Sequence, residues 1–124
     1  MSKDTVIEAS EVARRLADEL PQWTFEEGTL RRRVRTSGWK ATMMVVNVVG
    51  HLAEAAWHHP DVTVSYAFVV IKLTTHSARG ITEKDFQLAH KIEEVVFWQP
   101  GLAPGSALEG TPVDDPRLRY IKFD

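Results

Sequence analysis

The chain has 124 residues, 44% of them hydrophobic, with no cysteine and a net charge of −2. That length and apolar content suit one domain with a core of modest depth, and the missing thiols exclude disulfides, thiol chemistry and the common zinc frameworks. The mildly acidic balance argues against nucleic acid as a partner, because phosphate recognition normally shows as a basic field.

The first residues lack the charged-then-apolar pattern of a signal peptide, and no apolar run approaches membrane-spanning length, so a cytoplasmic protein without membrane contact is expected. A domain this small leaves much apolar surface uncovered, which favours a homodimer or homotetramer.

Along the chain, Val12, Leu16 and Leu20 form one helical stripe, closed by Pro21 and with Ser10 as N-cap; Thr5 with Glu8 offers a competing capping box. Trp23 to Phe25 and Leu30 to Val34 read as two strands of a hairpin turning at Glu26-Glu27-Gly28. In the second strand Leu30, Arg32 and Val34 share one face and Arg31, Arg33 and Arg35 the other. The plainest reading of that arginine face is a solvated one offset by Glu26 and Glu27.

From Trp39 to Trp57 the spacing of Met43, Val46, Gly50, Ala53 and Trp57 predicts a long amphipathic helix. Val62 to Thr75 is rich in β-branched and aromatic residues but too long for one strand, so a second hairpin splits it near Tyr66-Ala67. Thr82 caps a last helix with Phe86, Ala89, Ile92 and Val96 on its buried stripe. The resulting order is αββαββα, an α+β fold over residues 1–97. Residues 98–124 are rich in proline and glycine yet end in Leu118 to Phe123, so a C-terminal extension packed on the domain or on a neighbouring subunit is expected.

The chemical signal is a histidine cluster. His58, His59 and His76 fall within twenty residues, and Glu54 lies one helical turn before His58, where it can fix the tautomer and favour the protonated form. Pro60 disfavours helical geometry at His59, which puts His58 at the helix C-terminus, where the backbone dipole also favours an imidazolium. His59 should then point elsewhere, toward the edge of a ligand ring. His76 ends the fourth strand, and antiparallel pairing returns it toward residues 58–61. An acid and a base facing one pocket are what elimination of water requires.

Plainer readings stand beside these: a surface pair for Glu54 with His58, and a capping-box variant for Asp85, three residues after Thr82. Three histidines and two carboxylates raise a metal site, but no helical His pair or open-site signature supports one, so neither metal nor cofactor is expected. His51 and His90 read as structural.

Taken together, Glu54, three residues, His58-His59-Pro60, five residues, Tyr66, nine residues, His76, eight residues and Asp85 resemble the signature of the pterin-4a-carbinolamine dehydratases, also called 4a-hydroxytetrahydrobiopterin dehydratases. The similarity covers roughly residues 10–96. It implies a four-stranded antiparallel sheet with three helices packed on one face, and members that form dimers or tetramers. It implies a hydro-lyase that removes water from a 4a-hydroxytetrahydropterin to give quinonoid dihydropterin in tetrahydrobiopterin recycling. His58 and His76 would be acid and base, with His59 binding or assisting at the pterin. Glu54 and Asp85 would orient histidines, and Pro60 and Tyr66 complete the binding set.

The chain departs from the usual pattern at Trp57, Val62 and Arg79, positions that can reshape the pocket mouth. A different class of function also follows from the resemblance: a non-catalytic binding protein, such as a Rubisco assembly factor of carboxysome systems or a transcription-factor dimerisation cofactor. The complete signature favours catalysis.

Overall fold

The structure, a computed structural model, describes residues 4–124. Its elements are α1 (Ala9–Glu19), β1 (Thr24–Glu26), β2 (Thr29–Arg35), α2 (Trp39–Ala56), β3 (Asp61–Val64), β4 (Phe68–Leu73) and α3 (Glu83–Val96), with 3-10 turns at His76–Ala78 and Pro100–Leu102. The strands make one antiparallel sheet in the order β1-β2-β4-β3. The αββαββα order and the four-stranded antiparallel sheet expected from the sequence are therefore present.

The two-residue period of the strands sets the layers. Leu30 and Val34 of β2 and Val69, Ile71 and Leu73 of β4 point to one face of the sheet, since the two strands pair from Leu30↔Leu73 to Arg35↔Phe68. They share a core with Val12 and Leu16 of α1, Val45 and Val49 of α2, and Phe86, Ala89 and Ile92 of α3, so all three helices cover that face. The opposite face carries the arginines: Arg31 bonds Glu27 at 3.2 Å, Arg35 pairs with Asp124, and Arg33 lies over the Phe68 ring at 4.2 Å.

Arg32 sits on the core face at 4% exposure. Its charge is met there by Glu93, which accepts Nε–H at 2.6 Å, and its guanidinium stacks 4.2 Å from the Phe97 ring.

Several local expectations shift. The first strand runs Thr24–Glu26 rather than from Trp23, whose indole is buried and donates to Glu93 at 2.9 Å. Helix α1 starts after Glu8, not Ser10, because the Ile7 N–H is already bound to the Ile81 carbonyl at 2.8 Å; a tertiary bond fixes the entry of the chain ahead of any local cap. The buried stripe of α2 is Ala41, Thr42, Val45, Val49 and Ala53, turned from the expected Met43, Val46, Gly50, Ala53 and Trp57.

The polar residues Lys40, Asn47, His51 and Glu54 fall on one side of the helix and are exposed, which places the buried stripe opposite them; the apolar crowding of Met43 to Val49 masks that pattern. Thr42 goes inside because its hydroxyl meets Thr36 Oγ1 at 2.7 Å and the Tyr66 carbonyl at 3.0 Å.

The chain after α3 returns to the sheet. Ile121 bridges Thr36 and is 4% exposed, the Ser37 N–H bonds the Tyr120 carbonyl, the Lys122 N–H bonds the Arg35 carbonyl, and Phe123 meets Phe97 edge-on at 6.0 Å. Trp98, by contrast, is 65% exposed.

Candidate active site

Helix α2 ends in a Schellman motif: the Trp57 N–H bonds the Glu54 carbonyl at 3.3 Å and the His58 N–H bonds the Ala53 carbonyl at 3.1 Å. The left-handed residue that reverses the chain is Trp57, at φ 52° and ψ 46°. This reversal overturns the Glu54–His58 pair expected from helical spacing, because His58 is no longer on the helix. Glu54 instead bonds His59 Nε2 at 2.9 Å, with both side chains largely in water. His58 turns inward toward α3.

There Nε2 of His58 meets Asp85 Oδ1 at 2.6 Å, the imidazole 13% and the carboxylate 0% exposed. The other carboxylate oxygen accepts from Thr75 Oγ1–H at 2.7 Å and from the Thr82 N–H at 2.9 Å. Having donated its proton, the Thr75 hydroxyl accepts from Thr82 at 2.8 Å, and Thr82 Oγ1 in turn accepts the Lys84 N–H at 3.2 Å. Asp85 is thus both the third residue of the α3 capping box and the hydrogen-bond partner of His58. A buried carboxylate with three donors around it is compensated, and it fixes the proton of His58 on Nε2, leaving Nδ1 as the nitrogen not spent on Asp85.

His76 does not end β4. The strand stops at Leu73, Thr75 closes a small loop on Gly80 through two main-chain bonds, and His76 opens the 3-10 turn inside that loop, exposed to solvent. Its tie to the rest of the site is through its neighbour Thr75, which holds the same carboxylate as His58. The pairing Asp61↔Lys72 also lays the chain leaving β4 beside the chain that enters β3 after Pro60.

Tyr66 is not brought to this cluster within the chain. It sits 69% exposed in the β3–β4 turn, with its hydroxyl against Gly38 at the N-terminus of α2. That helix has 18 residues and so is about 27 Å long, with the histidines at its other end. Gly38 has φ 155°, and the Tyr66 hydroxyl would stand 3.3 Å from an added Cβ.

A cavity of about 530 Å³ opens beside His58, bounded by Leu52, Trp57, Lys84, Gln87, Leu88 and Lys91. Its apolar floor with a few polar groups is the lining expected for a small organic ligand. A larger opening, about 620 Å³, lies between the end of α3 and the C-terminal segment, but no histidine lines it. Size alone does not locate the chemistry.

Residue-type reasoning missed Thr75 and the double duty of Thr82. Their signal in the sequence was faint: a threonine directly before His76, and a cap three residues before the signature aspartate.

The profile of the family described as Pterin 4 alpha carbinolamine dehydratase matches residues 5–95. A protein of Aquifex aeolicus, provisionally named a pterin-4-alpha-carbinolamine dehydratase, is 46% identical over 88 residues, which cover 71% of this chain and 89% of that protein. One of Sulfolobus acidocaldarius with the same provisional name is 36% identical over 89 residues, covering 72% of this chain and 97% of that one. Among solved structures, a protein of Brucella melitensis described as a transcriptional coactivator/pterin dehydratase superposes with a TM-score of 0.68 at 24% identity, over 74% of this chain and 99% of its own.

Proposed function

The chain belongs to the pterin-4a-carbinolamine dehydratase family, and from that premise we propose that it is a hydro-lyase acting on a 4a-hydroxytetrahydropterin. The observation that carries the reading is the Asp85 carboxylate, which holds His58 on one oxygen and Thr75, next in the chain to His76, on the other. Such a carboxylate sets tautomer and direction for one imidazole and fixes the loop that bears the second.

In the reaction the C4a–O bond breaks, the adjacent ring nitrogen loses its proton, a C=N bond forms, and water and quinonoid dihydropterin leave. One imidazole delivers the proton that makes the hydroxyl a leaving group, and the other takes up the ring proton. His58 and His76 fill these roles, with Nδ1 of His58 the atom that exchanges its proton with substrate; when both nitrogens of that ring carry protons, Asp85 balances the charge. His59, steadied by Glu54, contacts the pterin at the rim. The same proposal places the protein in tetrahydrobiopterin recycling; it also treats it as a homo-oligomer, since β3 is an edge strand of the sheet and its last residue, Val64, is exposed.

The test is direct. Freshly generated 4a-hydroxytetrahydropterin is mixed with the full chain and quinonoid dihydropterin is followed by absorbance. His58→Ala and His76→Ala should each lose about 10²–10⁴-fold, the usual contribution of a positioned acid or base. Wild type no faster than buffer, or losses under about tenfold, would overturn the enzyme and favour a binding role. Light scattering reads the oligomer.

A further inference from the structure

Trp57 is held in a backbone conformation that suits glycine or asparagine, and its indole is 76% exposed. The helix end needs the left-handed conformation but not the indole. The residue contributes nothing to the core, and a glycine would close the same Schellman turn without a Cβ penalty. Strained, solvent-facing residues of this kind concentrate where a ligand is handled. Two further observations point to the ligand. The indole meets the His59 ring edge-on, with centroids 5.0 Å apart and planes at 82°, and it bounds the same cavity as His58. Trp57 therefore meets His59 through a ring contact and shares a cavity wall with His58.

We propose that Trp57 is a substrate-binding residue, the aromatic wall on which the planar pterin bicycle stacks, and that it sets affinity and selectivity for flat heterocycles at this site. The inference rests on the dehydratase reading, because it takes the pterin as the ligand. The αL turn is what makes the wall: it swings residue 57 off the helix to the rim of the cavity, where a helical residue would have continued along α2. The open indole surface offers stacking to a heterocycle of any edge pattern, with His58 bounding the same cavity. Stacking of a heterocycle on an aromatic side chain is worth at least about a fivefold change in Kd.

The experiment uses the full chain as wild type, Trp57→Gly, Trp57→Asn and Trp57→Phe, titrated with 7,8-dihydrobiopterin, which lacks the 4a-hydroxyl, and assayed for turnover of 4a-hydroxytetrahydropterin. Glycine and asparagine both accept the left-handed conformation, so melting temperatures should stay level or rise. Kd for the dihydropterin and KM for the substrate should rise at least about fivefold in both, with a smaller effect on kcat. Trp57→Phe keeps an aromatic face and should remain within about threefold of wild type. An unchanged Kd in both Trp57→Gly and Trp57→Asn, with normal wild-type turnover, would overturn the wall and leave the dehydratase reading standing. A phenylalanine variant as weak as the glycine one would also overturn it. If wild type neither binds the dihydropterin nor turns over the carbinolamine, both readings fall together.

Discussion

Exchanging the buried carboxylate at position 85 for an amide of the same shape isolates what Asp85 does. In Asp85→Asn the amide must choose which end faces which neighbour. The Thr82 N–H is a fixed donor, 2.9 Å from Oδ2, so the amide oxygen has to stay on that side, where the Thr75 hydroxyl also donates. The NH2 group is then directed at Nε2 of His58, 2.6 Å from Oδ1 in the wild type. Two donors cannot share that bond, so the imidazole must move its proton from Nε2 to Nδ1, the nitrogen assigned to the substrate.

Two bonds to a charged acceptor become bonds to a neutral one and the third, to His58, reverses direction, offset by no longer burying a charge. The net cost is about 1–3 kcal/mol of stability, several degrees in Tm. The rate should fall further, by about 10²–10⁴-fold, because the wrong tautomer disables proton transfer in otherwise intact geometry. Turnover, thermal melts and ¹⁵N-edited spectra of the imidazoles read these three effects. Thr82→Ala is the control: it removes part of the cap and costs about 1 kcal/mol, but leaves His58 its partner and so most of the activity. An Asp85→Asn protein with wild-type tautomer and a rate within about threefold of wild type would refute the reasoning.

Glu54→Gln tests the outer pair: because both side chains are exposed, it should change stability by less than about 0.5 kcal/mol and lower activity far less than Asp85→Asn, as melts and turnover will show. Hydrogen bonds from His90, and then from Arg15, hold the Glu19 carboxyl below its ordinary value. A depressed carboxylate contributes stability above its ordinary pKa and loses it as pH falls through the lowered value. The stability gap between wild type and Glu19→Gln, under about 1 kcal/mol and read by denaturant titration, should thus be full at pH 7 and close on acidification below the ordinary carboxylate range; a constant gap would count against the pair. Removing residues 118–124 exposes the Ile121 site and breaks the main-chain bonds to Arg35 and Ser37, so about 2–4 kcal/mol should be lost, measured by denaturant titration.

What the sequence by itself determined is what short-range physics determines. Alternation in Leu30 to Val34, the cap at Thr82 and the break at Pro60 were enough to order the elements, and the spacing of Glu54, His58, His76 and Asp85 to nominate candidates for a site. Tertiary structure decided the partners. One left-handed residue, Trp57, took His58 off the helix, gave Glu54 to His59 and delivered His58 to Asp85. No local pattern announces a tryptophan at φ 52°, because the conformation is unfavourable in isolation and persists only when the turn is fixed from outside.

The face of α2 was within reach of the sequence, since Lys40, Asn47, His51 and Glu54 mark its outer side; the Thr42–Thr36 hydroxyl pair lies on the inner one. Thr75 joined the site because the sheet register and the α3 cap converge on one carboxylate. Periodicity fixes which way a segment can face; which donor meets which acceptor is set by where distant segments come to rest.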